Sequence, residues 1–144
     1  MGLRLKRTAR PAALVAAVGL ALWYVYSSRA SALPAETSSR GDAYAITLIS
    51  PAISPSTMEP SRFVVKISDS SGSPVRAGTV ALKYWMPGMF CGVFTAEAAE
   101  TGRTGEYEAI VVPVMAGRWV LEAQAAIDDR EVSVRHPFRA GRHA

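Results

Sequence analysis

The stretch Thr79-Val80-Ala81-Leu82-Lys83-Tyr84-Trp85-Met86-Pro87-Gly88 decides the fold. Val80, Leu82 and Tyr84 share one face of an extended chain, which is the period of two that marks a half-buried strand. Pro87-Gly88 then ends it, because proline fixes φ and removes a ladder donor. The same rhythm extends outward in both directions. On the N-terminal side, Tyr44 to Ile49 alternates, a proline-punctuated connection runs from Pro51 to Pro60, and Phe63, Val65 and Ile67 line one face of a second strand. The turn residues Asp69-Ser70-Ser71-Gly72-Ser73-Pro74 close that strand. On the C-terminal side come a short strand around Phe94 to Ala98, then Glu106 to Val114, Arg118 to Ala125 and Arg130 to Phe138. Ala116-Gly117 and Asp128-Asp129 provide the last two turns. Seven short strands between residues 43 and 140 predict an all-β, immunoglobulin-like Greek-key sandwich. Trp119, Tyr107, Phe63 and Leu121 are its expected anchors, since large side chains at inward positions bury the most area.

The 144 residues leave room for one such core. The formal net charge of +4 is misleading, because Arg4, Lys6, Arg7, Arg10 and Arg29 precede the domain and leave 11 basic against 12 acidic residues for the rest. A nearly neutral domain lacks the basic footprint that nucleic acid requires, and that partner is excluded. The single cysteine, Cys91, excludes an internal disulfide.

Pro11 to Ser28 carries no charge and is mostly Ala, Leu and Val, about the shortest run that spans a bilayer as a helix. Trp23, Tyr24 and Tyr26 sit where interfacial rings belong, and the basic residues ahead of the run keep the N-terminus in the cytoplasm. Two fates are open for residues 1–29. They form an uncleaved single-pass anchor, or a signal sequence cut after Ala30-Ser31-Ala32. The length of the run and Arg29 favour the anchor. Either fate exports the remainder of the chain to the periplasmic or extracellular side of the cytoplasmic membrane, as a membrane-held or a secreted domain. Residues 30–42 read as a flexible spacer, residues 43–140 as the domain and 141–144 as a tail.

Three segments carry a family resemblance: Lys83-Tyr84-Trp85-Met86-Pro87-Gly88-Met89, Gly105-Glu106-Tyr107, and Val114-Met115-Ala116-Gly117-Arg118-Trp119. With Asp69 to Ala77, which resembles D-x-x-G-x-P-V-x-x-A but is one residue shorter before its alanine, they resemble the YtkA-like and FixH-like exported domains over roughly residues 43–140. The resemblance implies an immunoglobulin-like sandwich outside the cytoplasmic membrane, associated with copper transporters or respiratory-oxidase assembly proteins. It implies no catalysis. It also implies that the methionines of M-P-x-M and M-x-G-x-W, here Met86, Met89 and Met115, are metal ligands. One common version of the pattern has histidine after the second methionine, where this chain has Phe90 and Cys91.

The chemistry of the residues themselves fits copper, because thioether and thiolate sulfurs prefer Cu(I). Met86, Met89, Cys91 and Met115 form the expected set if the two turns share one end of the sandwich. The competing reading makes Met86 and Met115 plugs of an apolar core and Cys91 an ordinary buried thiol. Met58 either caps the core or joins the sulfur cluster, capping being the simpler use. His136 in a strand and His143 in the tail read as surface residues, and Asp128-Asp129 as a solvated turn. No catalytic triad, phosphate loop or hydrolase metal cluster occurs, so the chain is not expected to be an enzyme. The functional expectation is a domain that binds or hands on Cu(I) or supports a copper-handling partner. The alternative is an interaction module of a membrane complex that holds no metal.

Overall fold

The computed structural model describes residues 9–30, 33–89 and 92–142, with side chains from residue 15 onward in the first segment and up to residue 27. Contacts divide the chain into two units, Met1–Ala32 and Leu33–Ala144. The first holds one helix, α1 (Ala9–Ala30), of 22 residues. Its described large apolar side chains, from Val15 to Tyr26, are all at least half exposed. Among the described residues no helix is long and apolar enough to cross a membrane. The apolar run itself begins at Pro11, outside the residues whose side chains are described.

The second unit is all β. Its strands are β1 (Glu36–Arg40), β2 (Tyr44–Ile49), β3 (Ser61–Asp69), β4 (Thr79–Trp85), β5 (Phe94–Glu100), β6 (Glu106–Val111), β7 (Gly117–Ile127) and β8 (Arg130–Ala140). All pair antiparallel in the order β1-β2-β3-β6-β5-β4-β7-β8. β5 turns the sheet into two layers, because its first half pairs with β4 at residues 94–97 and its second half with β6 at residues 98–100. The outer strands β1 and β8 approach each other, so the arrangement is nearly a barrel, which leaves little open edge.

The alternation expected from the sequence places the core. Ile46, Leu48, Phe63, Val65, Ile67, Val80, Leu82, Tyr84, Tyr107, Trp119 and Leu121 are all buried, including all four expected anchors. Trp119 is the hub: Tyr84 and Phe94 each lie 5.9 Å from it and Phe138 6.3 Å, while Phe138 meets Phe63 edge-on at 5.0 Å. These spacings are the favourable range for aromatic pairs. Asp128 and Asp129 form the two-residue turn between β7 and β8, both with positive φ, the signature of a hairpin turn that matches sheet twist.

Three expectations are corrected. There are eight strands among the described residues, and the extra one, β1, lies within residues 30–42, which read as spacer. Glu36-Thr37-Ser38-Ser39-Arg40 carries no apolar residue, and it is a strand only because β2 offers its free edge. β6 stops at Val111, three residues short, since Pro113 cannot donate to a ladder. His136 is not a surface residue: it is completely buried in β8. Its Nδ1 lies 2.9 Å from Thr37 Oγ1 and its Nε2 2.6 Å from Ser50 Oγ. A neutral imidazole donates from one nitrogen and accepts at the other, and two hydroxyls suit either tautomer. Burial holds its pKa below the usual histidine value. His136 thus ties β8 to β1 and to the end of β2, across the seam where no ladder closes the sheet.

Candidate functional site

The sandwich has two ends, and the family-like motifs divide between them. At one end, Asp69 Oδ1 accepts hydrogen bonds from the Ser71 and Ser73 amides at 2.8 and 3.0 Å and from the Ser71 hydroxyl at 2.6 Å. These bonds hold its carboxyl below the usual carboxylate range. Gly105 has φ +73°, and a Cβ there would stand 2.6 Å from the Ile67 carbonyl oxygen and 3.0 Å from both the amide nitrogen and the carbonyl oxygen of Val75. Two residues on, the Tyr107 hydroxyl accepts from the Ala77 amide at 2.7 Å and donates to its carbonyl at 3.2 Å. The Asp69–Ala77 segment and G-x-Y are therefore joined, and every side chain named here has a structural task.

The other end gathers the loops after β2, β4 and β6 and the segment after β8. Met86 is buried at the end of β4, with its Cε placed where a Cβ on Gly117 would approach to 2.6 Å. The M-P-x-M and M-x-G-x-W turns therefore do share one end, as the expected sulfur set requires. The second turn is pinned by Trp119, whose indole Nε1 donates to the Met115 carbonyl at 2.9 Å. Met89 and Met115 are exposed, at 47% and 42%. The expected ligands thus separate: Met86 packs in the core, whereas Met89 and Met115 face solvent at the same end. Cys91 and His143 lie outside the described residues.

Met58 does not cap the core, since it is 70% exposed. Its backbone is drawn to this end, for the Met58 amide donates to the Pro113 carbonyl at 2.8 Å, two residues before Met115. Its φ of +63° is uncommon for a residue with a long side chain and carries a cost of order 1 kcal/mol or more. The Thr57 amide donates to the Gly141 carbonyl and the Gly141 amide to the Pro55 carbonyl, which ties the same loop to the residue after β8. All the methionines after Met1 therefore lie at one end. The spacing of Met58 from the other motifs gave no sign of this, and only its unusual position in a proline-rich loop marked it. Among the described residues no three His, Cys, Asp or Glu side chains converge.

On the outer face beside this end, Arg118 and Arg139 stand directly opposite each other across β7 and β8, both exposed. Neither forms an ion pair among the described residues. Further along the same ladder, Arg135 pairs with Glu122 and lies 5.9 Å from the Trp85 ring, so the hairpin provides a carboxylate for Arg135 and none for Arg118 or Arg139.

A search of the curated proteins finds no match. Among solved structures, an engineered protein superposes with a TM-score of 0.50 at 16% identity over 67% of this chain and 20% of its own. A DUF4785 family protein from Legionella pneumophila superposes with a TM-score of 0.51 at 6% identity over 72% of this chain and 29% of its own. The chain spans less than a third of either structure, and the likeness is one of fold. The YtkA-like family model matches residues 39–124, from within β1 to the middle of β7 and through both groups of motifs. The chain belongs to the YtkA-like family.

Proposed function

We propose that this chain is an exported, non-catalytic β-sandwich of immunoglobulin-like Greek-key topology that binds Cu(I) through the methionines at one end, for a copper transporter or an oxidase-assembly partner. The observation that carries the reading is the gathering of Met58, Met89 and Met115 at one end with their side chains exposed. Exposed methionines contribute little to a core, and thioethers are soft neutral donors that favour Cu(I) without deprotonation. Met86 supports the same end chiefly by packing, while Cys91, five residues beyond it, adds the one available thiol. The Greek-key assignment rests on the strand order, in which β3 pairs β6 within one layer and β4 pairs β7 within the other.

The export reading is supported by α1, whose 22 residues extend about 33 Å at 1.5 Å per residue, close to the thickness of a hydrocarbon core. Trp23, Tyr24 and Tyr26 fall in its last third, where a helix leaving the membrane carries its aromatic belt.

Anaerobic titration of the full chain in detergent with Cu(I), against a competing chelator, tests the proposal. We expect one-to-one binding that is lost when Met58, Met89 and Met115 are all replaced by alanine and retained in Met86→Leu. Absence of binding by the unaltered chain overturns the copper reading and leaves an interaction module of a membrane complex.

A further inference from the structure

We propose that the methionine end of the sandwich is a docking surface for an anionic lipid bilayer, so that the exposed methionines face the membrane. The proposal rests on the anchoring part of the proposed function and is independent of copper.

The first observation is where apolar surface is left uncovered. Among the described residues of the domain, the exposed large apolar side chains are Ile53, Met58, Met89, Val93, Met115 and Ile110, and all but Ile110 lie in the loops of this one end. Gathering of this kind on a small domain marks an interaction surface, whereas scattered apolar residues do not. The opposite end, made of residues 69–78, 101–105 and 128–129, has none.

The second is the tether. The Ser50 amide donates to the Ala35 carbonyl at 2.8 Å, so the chain enters the domain at the methionine end. Ala35 follows the last residue of α1, Ala30, by five residues, a reach of at most about 18 Å even when fully extended. With α1 as the anchor of the proposed function, the methionine end is the end of the domain nearest to the anchor along the chain.

The third is charge. Arg118 and Arg139, directly opposed across the hairpin, cost the fold repulsion and gain no carboxylate partner. Arg118 follows Met115 by three residues, and Arg142 follows Arg139 by three. Apolar loop tips rimmed by arginine suit a surface with anionic headgroups above an apolar interior. A protein partner explains the apolar tips equally well, but it does not explain why they share the end where the chain enters the domain with arginines that have no carboxylate partner among the described residues.

Hydrogen–deuterium exchange of the full chain in phosphatidylcholine vesicles with and without phosphatidylglycerol tests the surface. Amides of residues 51–60 and 112–118 should be protected in the anionic vesicles relative to detergent, while residues 69–78 and 101–105 exchange alike in both. Arg118→Gln with Arg139→Gln should lower that protection by on the order of thirtyfold, given about 1 kcal/mol per basic residue near such a surface. Ile53→Ser with Val93→Ser, at exposed positions, should lower it too. Equal exchange at the two ends, or protection that arises only when membrane proteins are added, overturns the proposal. Flotation of the chain with the vesicles reads the anchor separately, so unprotected loops in floating protein count against the docking surface alone.

Discussion

The two ends of the sandwich use their motif residues in opposite ways. At the Asp69–Tyr107 end the motif carboxylate and hydroxyl are satisfied within the domain, and the glycine is where three backbone atoms leave no room for a side chain. At the methionine end the turns are equally well pinned, by the Trp119 indole and the Met58 amide. Yet three side chains carried on those turns face outward. A motif that a fold needs is consumed by the fold; a motif residue left over is available for a ligand or a surface. By that criterion the first end is structural, and the second is the end to which the proposed function is assigned.

Gly105→Ala tests this contrast most severely. Overpacking against fixed backbone, added to a positive φ, should cost about 3–4 kcal/mol, read as a shift in the urea midpoint. A loss below about 1 kcal/mol would mean that the structural end is loosely packed. Met86→Ala comes next, at about 3 kcal/mol, because this residue is buried although it sits at the functional end. Tyr107→Phe should cost about 2 kcal/mol by stranding the Ala77 amide and carbonyl.

His136, at the seam, gives a pH signature. Its folded pKa lies below the unfolded value of about 6.5, so the unfolded chain binds more protons as the pH falls past that value. The contribution is fully present above about pH 6.5 and is lost on acidification through the folded pKa. Urea midpoints at about pH 7.5 and about pH 5 should differ accordingly, and His136→Leu should remove its part of that difference. The smallest effect belongs to Met58→Ala, Met89→Ala and Met115→Ala, each within about 0.5 kcal/mol of the parent in stability. A larger loss in any of them would assign that methionine to the fold.

Much of the fold is legible in the sequence. β2 and β4 coincide with their expected ranges, and the Asp128-Asp129 turn falls where the alternation breaks, because an alternating face and a turn residue are local signals. β1 left no such signal: its polar residues become a strand by pairing with β2. His136 misled for the same reason, since a histidine at an inward position is read correctly only once Thr37 and Ser50 are seen to reach it from 99 and 86 residues away. Met58 and Met115 illustrate the same limit at the candidate site.

Local pattern alone specified seven of the eight strands, the core anchors, the family motifs and an apolar N-terminal run, all of which are written in spacings of a few residues. Tertiary structure decided which methionines are consumed by the core, that Met58 reaches the turn of Met115, and that Arg118 faces Arg139. Those outcomes depend on the β3–β6, β4–β7 and β7–β8 registers, which bring distant loops to a common end, and strand register is fixed by pairing between segments and not by the pattern within any one of them.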